Sequence, residues 1–233
     1  DYGYNLLNSC EPNAIIFTNG DNDTFPLWYL QEVENIRQDV TVVNLSLLNT
    51  PWYIEQLINT SRLDIKFENS ILDNDIYKIE NNYSLSTIEG YSLCSKDFNM
   101  VDTYWDELDC NLEVKENNIT KHNFKFKVPS YKKQVLRIQD YMILEIISDL
   151  YLEHPIYFAA TVAETNQVGL KRYLEMEGMV YRVIPNKIDK NISVKINYDK
   201  MKLNLTQGSA LDTIKTADDY INAVKNKKGI YRY

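Results

Sequence analysis

The chain has 233 residues and a mass of 27.3 kDa, enough for one large domain or for a domain with a sizeable insertion. Its 44% apolar and 25% charged residues exclude global disorder. A formal net charge of −8, with no basic cluster along the sequence, argues against nucleic acid as a partner, because phosphate neutralisation needs concentrated Lys and Arg.

From the N-terminus, Ala14-Ile15-Ile16-Phe17-Thr18 is a short apolar run without polar alternation, which predicts a strand buried on both faces in a parallel sheet. The loop Asn19-Gly20-Asp21-Asn22-Asp23 follows. Leu27, Leu30, Val33 and Ile36 then recur at helical spacing, with Asp23 or Thr24 as cap, Pro26 in the first turn and Asp39 as breaker. Residues 40–47 predict a second strand. Thr50-Pro51 starts another helix, with Thr50 as cap and Pro51 at its first position. Strand, helix, strand, helix with short joints is the grammar of a βαβ unit.

The middle of the chain, residues 64–133, differs. Asn123-Phe124-Lys125-Phe126-Lys127-Val128 alternates as a half-exposed strand does, so the segment reads as an irregular, partly β insertion. The α/β grammar then returns. Residues 135–152 predict a deeply buried helix, and Pro155 leads into a strand over 156–162. A helix over 169–177 is stopped by Gly178, and residues 179–184 form a strand ended by Pro185. The tail has an alternating stretch after Ile192 and a helix expected at 216–225. The whole predicts a single α/β domain over 1–233. It would have a Rossmann-like, mostly parallel sheet flanked by helices, the insertion at 64–133 and a C-terminal extension at 190–233.

In open α/β sheets, ligands bind outside the carboxyl ends of the strands. That edge would carry Asn19, Asp21, Asn22 and Asp23 after the first strand. It would carry Ser46, Asn49 and Trp52 after the second, and Glu164, Thr165 and Asn166 after the third. Such a set suits a sugar-type ligand or a divalent metal. Asp21 and Asp23 form a D-x-D pair of hard oxygen ligands, the type that holds Mg²⁺ or Mn²⁺. The competing reading makes both of them helix-capping residues with no metal and no other cofactor. Trp28, Tyr29, Trp52 and Tyr53 serve either to stack on a sugar face or to pack helix against sheet.

Other chemistries find little support. Glycine is scarce, at 7 residues, so a Gly-rich phosphate loop is not expected, although tyrosine is abundant at 18. The three cysteines form no C-x-x-C pair, and His122 and His154 are distant from them, so no metal site of that kind is expected. Cys94 and Cys110 either pair across a hairpin or stay as buried thiols. His154 reads as a satisfied turn histidine, and Arg182 and Lys171 as surface charges. The sequons at Asn44 and Asn118 follow from the Asn content, since Asn44 falls in a buried strand. No apolar run reaches the length of a membrane span, no signal peptide opens the chain, and its start at Asp1 without Met fits a piece of something longer.

Two blocks are distinctive: residues 5–31, which contain Asn19-Gly20-Asp21-Asn22-Asp23-Thr24-Phe25-Pro26-Leu27-Trp28-Tyr29, and residues 39–53, which contain Asn44-Leu45-Ser46-Leu47-Leu48-Asn49-Thr50 and Trp52-Tyr53. With Pro155-Ile156-Tyr157-Phe158-Ala159, Glu177-Gly178 and Tyr181-Arg182, they resemble a bacterial family of multi-pass membrane proteins, the protein O-mannosyltransferase-like proteins of glycosyltransferase family 117. The likeness is close over residues 1–60 and fair over 155–185. It implies that the chain is the soluble region of a GT-C-like membrane transferase, at the extracytoplasmic (periplasmic) face of the inner membrane. The membrane-embedded part of the same polypeptide would then be its partner. Three functions follow. The chain is an accessory domain that binds acceptor peptide or glycan, or a packing module without ligand, or a metal-dependent nucleotide-sugar enzyme built on Asp21 and Asp23.

Overall fold

The computed structural model describes residues 2–60, 63, 107–117, 119–129 and 137–206. Its helices are α1 (Tyr2–Asn8), α2 (Asp21–Glu32), α3 (Pro51–Asn59), α4 (Ile138–Leu150) and α5 (Tyr198–Thr206). Its strands are β1 (Ile15–Thr18), β2 (Thr41–Asn44), β3 (Glu107–Glu116), β4 (Ile119–Pro129), β5 (Ile156–Ala159), β6 (Leu174–Met176), β7 (Val180–Val183) and β8 (Lys195–Ile196). Six strands form one mixed sheet in the order β2-β1-β5-β7-β6-β8, and β3 and β4 form a separate hairpin. This is an α/β fold whose sheet is mostly parallel and flanked by helices. β1 pairs in parallel with β2 and β5, and β6 with β8, while β7 runs antiparallel to both its neighbours.

The apolar runs account for the centre. All four residues of β1 and all four of β5 are buried, and Phe17 meets Phe158 at 4.9 Å between ring centroids. A strand covered on both faces has no reason to alternate, and neither of these does. β4 contains the alternating run. Phe124, Phe126 and Val128 face inward opposite Leu112 and Cys110 of β3, while Lys125 and Lys127 are exposed. The buried side of the hairpin lies against α4, where the Tyr151 ring meets Phe124 edge-on at 5.4 Å and Ser148 donates to the Glu113 carbonyl.

Several expectations are corrected. The segment 169–177 is not a helix: residues Leu170–Tyr173 make one 3-10 turn and the chain then enters β6. Leu170, Tyr173 and Leu174 do recur at helical spacing, but β7 lies close by in sequence and supplies a complete antiparallel ladder. Gly178 stops no helix; at φ 82° it turns β6 into β7, and a Cβ there would collide with Ser9 Oγ. Helix α2 begins earlier and ends sooner than its apolar spacing suggests. Its N-cap is Gly20 rather than Asp23 or Thr24, no side chain caps it, and it ends at Glu32 ahead of positive φ at Asn35 and Arg37. Thr50 does precede α3, yet its hydroxyl donates to the Leu47 carbonyl instead of capping. Helices α1 and α5 carry no strong sequence signal. The first docks through Gly3, where a Cβ would crowd Pro26 and Leu30 of α2.

Arg182 is not a surface charge. Its Nη1 reaches Glu11 Oε1 at 3.0 Å, its guanidinium lies 5.9 Å from the Tyr157 ring centroid, and Glu177 Oε1 stands 3.9 Å away. Lys200 of α5 adds a 2.6 Å bond to Glu11. Burial pushes the Glu177 carboxyl above its ordinary range; Lys200 and Arg182 outweigh burial at Glu11 and hold that carboxyl low. The cluster fastens α5 and the segment after α1 to one face of the sheet. His154 is satisfied, with Nδ1 2.8 Å from the Asn13 carbonyl. Cys110 is buried in β3; Cys94, Asn118 and the helix expected at 216–225 lie outside the described residues.

Candidate functional site

β2 and β5 flank β1 on opposite sides, and all three run the same way, so their carboxyl ends share one edge. Three buried side chains sit beneath that edge. The Thr24 hydroxyl donates to the Gly20 carbonyl at 2.7 Å and accepts from Thr18 Oγ1 at 2.7 Å and Asn44 Nδ2 at 2.8 Å. One hydrogen and two lone pairs are thereby all used. Asn44 Oδ1 accepts the Leu47 N–H, which sets the turn after β2. The Asn44 N–H donates to the hydroxyl of buried Tyr53, so α3 is tied to the same strand end.

Above this layer runs a row of polar contacts. Asn166 donates from Nδ2 to Asn19 Oδ1 at 3.1 Å, and its Oδ1 accepts from Arg137 Nη1 at 2.7 Å. Arg137 grips Asp140 with Nε and Nη2 at 2.9 and 2.7 Å and donates to the Thr165 carbonyl at 3.0 Å. The Asp140 carboxylate accepts the Arg137 backbone N–H in return, which satisfies a free donor at the start of α4. Next along the helix, the Gln139 backbone N–H donates to Asn49 Oδ1 at 3.2 Å, and the two side-chain amides stand 2.8 Å apart. Asn19, Asn166, Arg137, Gln139 and Asn49 thus form one row from the end of β1 to the turn after β2.

Of the residues expected at this edge, Asn19 and Asn49 join the row. Ser46 is exposed, and its carbonyl accepts from Asn49. Asp21 and Asn22 are exposed in the first turn of α2. Asp23 is 8% exposed; it accepts from the Tyr2 hydroxyl at 3.0 Å and the Thr161 hydroxyl at 2.7 Å. Burial pushes the Tyr2 phenol above its ordinary range, which keeps it a donor. Two residues along a helix turn about 200°, so Asp21 and Asp23 project from opposite faces. Among the described residues, no three His, Cys, Asp or Glu side chains gather as metal ligands do. Trp52 lies outside the row, 55% exposed, edge-on to Tyr53 at 5.7 Å. Trp28 is half-buried between Phe25 and Tyr53; Phe25 and Tyr29 are 52% and 53% exposed. The aromatics therefore divide: Tyr53 packs, and Trp52 faces solvent. Glu164 pairs with Lys171 at 2.8 Å.

Sequence reasoning missed Arg137, Gln139, Asp140, Thr161 and Tyr2. One signal was available, since an acidic residue in the first turn of a helix, as at Asp140 just ahead of the apolar run, suits the free N–H groups there. Nothing local ties Arg137 to Asn166 or Tyr2 to Asp23.

The family model TMEM260-associated domain 2 matches residues 1–104 and 109–205, and the chain belongs to that family. The description associates the domain with TMEM260, a membrane protein. No curated protein and no solved structure gives a significant match. Among the described residues, no helix is long and apolar enough to cross a membrane.

Proposed function

We propose that this chain is the accessory domain of a GT-C-like membrane glycosyltransferase of family 117, and that it holds acceptor peptide or glycan at the rim outside β1, β2 and β5. The observation that carries the proposal is the row Asn19–Asn166–Arg137–Gln139–Asn49. In a Rossmann-like sheet this is the switch point, where ligands collect. On this reading Asp21, Asn22, Ser46 and Trp52, exposed on the segments that follow β1 and β2, supply the contacts. Carboxylate and amide groups bind sugar hydroxyls, and an exposed indole stacks on a sugar face. The partner is the membrane-embedded part of the same polypeptide, on the extracytoplasmic face.

A packing module without ligand is the second reading. It is favoured by one fact: the amides in the row already satisfy one another. Two-dimensional NMR of the ¹⁵N-labelled chain, titrated with a mannose oligosaccharide and with a Ser/Thr-rich peptide, separates the two. Binding at the rim shifts the Asp21 and Asn22 amides and the Trp52 indole, and Trp52→Ala abolishes the shifts. Unmoved rim resonances in both titrations would discard ligand capture and leave the packing module.

A further inference from the structure

The outward side of helix α2 is apolar. Phe25, Tyr29 and Val33 recur at a spacing of four over α2 and the residue that ends it, and each is more than half exposed. At 1.5 Å per residue they make a stripe about 12 Å long. The other side of the helix, with Thr24, Leu27 and Gln31, is the buried one. The stripe broadens onto α3. The Phe25 ring stacks on Trp28 at 5.8 Å between centroids, and Trp28 meets Tyr53 at 6.5 Å. Tyr53 in turn meets Trp52, which is again more than half exposed. Single apolar residues on a surface are ordinary, whereas an aromatic run that crosses from one helix to the next marks an interaction face.

The charge around this face has one sign. Asp21 stands four residues before Phe25, and Glu55 three after Trp52, so each shares a helix side with its aromatic neighbour. Glu34 lies at the far end, where its carboxylate accepts the Tyr29 hydroxyl at 2.9 Å. Asp21, Glu34 and Glu55 are exposed, and none of them forms an ion pair among the described residues. Helices α2 and α3 contain no Lys or Arg. Arg37, the first basic residue of the chain, is spent on Asp39 and on the Leu7, Cys10 and Glu11 carbonyls.

We propose that this face docks an amphipathic helix of a partner protein, one whose apolar stripe is flanked by Lys and Arg. Side chains four apart form a ridge that packs into the groove of a second helix. The partner's cations meet Asp21, Glu34 and Glu55 and lie over the Trp and Tyr rings. The sign of the charge selects this occupant. A second copy of the chain would bring the same carboxylates from both sides, and an anionic bilayer surface would repel them. Asp21 and Trp52 belong also to the rim proposed for the acceptor, so the variants below leave both unchanged, and failure here leaves that reading untouched.

The test uses the full 233-residue chain. Fluorescence anisotropy follows a labelled amphipathic peptide of about 18 residues, with Leu at helical spacing and Lys beside it, and an analogue with Glu for each Lys. We expect the Lys peptide to bind at least about tenfold more tightly than the Glu analogue, and salt to narrow the difference. Phe25→Ala/Tyr29→Ala should weaken its binding about tenfold or more. The control Ile119→Ala/Leu203→Ala, which alters exposed apolar residues of β4 and α5, should leave it within about twofold. Glu34→Lys/Glu55→Lys, confined to exposed side chains, should reverse the preference between the two peptides. Thermal melting checks that each variant folds. No binding of the Lys peptide, equal binding of both peptides, or equal loss in the control overturns the proposal. Sedimentation equilibrium and phosphatidylcholine vesicles test the other occupants. Dimerisation or vesicle binding that Phe25→Ala/Tyr29→Ala abolishes assigns the face to a second copy or to a bilayer, and overturns the proposal as well.

Discussion

Replacing Thr24 by Val tests whether the buried hydroxyl layer under the rim holds the strand ends together. The two side chains are nearly the same size, so the change removes hydrogen bonds without opening a cavity. Thr24, Thr18 and Asn44 are all fully buried. The Gly20 carbonyl keeps the Thr24 N–H at 3.2 Å and loses little. The Thr18 hydroxyl falls back on the Val43 carbonyl at 3.5 Å, a weak bond, and Asn44 Nδ2 loses its acceptor at 2.8 Å. A buried donor left without a good partner costs about 1–3 kcal/mol, so Thr24→Val should destabilise the fold by about 2–4 kcal/mol. Thr24→Ser keeps the hydroxyl and loses one buried methyl, which costs about 1 kcal/mol. Adding Thr18→Val to Thr24→Val removes one stranded donor, so the pair should couple favourably by about 1 kcal/mol. Urea unfolding followed by circular dichroism measures all five proteins: the parent, Thr24→Val, Thr24→Ser, Thr18→Val and the double variant. A Thr24→Val variant within about 0.5 kcal/mol of the parent, or a Ser variant as damaged as the Val one, would refute the reasoning.

Arg137→Ala leaves the carboxylate of Asp140, only 4% exposed, without its guanidinium and severs the link to Asn166. The expected loss is about 2–4 kcal/mol, and Arg137→Lys should recover only part of it because a single ammonium cannot reproduce the fork. A melting temperature unchanged in Arg137→Ala would contradict this. Glu145 of α4 gives a pH signature. Burial, with Asp149 adding and the Tyr141 hydroxyl opposing, raises its carboxyl from 4.5 to about 7. The folded chain then holds this proton more tightly than the unfolded chain, so the group costs stability as pH climbs from 4.5 to about 7 and costs no more above that. Glu145→Gln should therefore flatten the profile, gaining about 1–3 kcal/mol over the parent at pH 8 relative to pH 4. Parallel urea midpoints across that range would contradict the assignment.

Much of the framework was legible before any coordinates. The apolar runs of β1 and β5, the alternation in β4, the long apolar stretch of α4 and the Thr50-Pro51 start of α3 each reflect a local rule. Strands buried on both faces are mostly apolar and do not alternate, and a proline at a helix start has no hydrogen bond to lose. Residues 5–31 and 39–53 were also distinctive in the sequence itself, and the match to the TMEM260-associated domain family spans both segments.

Tertiary structure decided the rest. Leu170, Tyr173 and Leu174 satisfy helical spacing, yet the chain around Gly169 is pressed against β4, and residues 174–176 pair with β7 instead. Asp21 and Asp23 look like a pair in sequence, but helical rotation sends one to solvent and the other to Tyr2 and Thr161. Arg137 lies 29 residues from Asn166, and Gln139 lies 90 from Asn49. Backbone propensity and burial act over a few neighbouring residues and leave their pattern in the sequence. Hydrogen-bonded rows arise where distant segments meet, and their members are ordinary polar residues until the chain has folded.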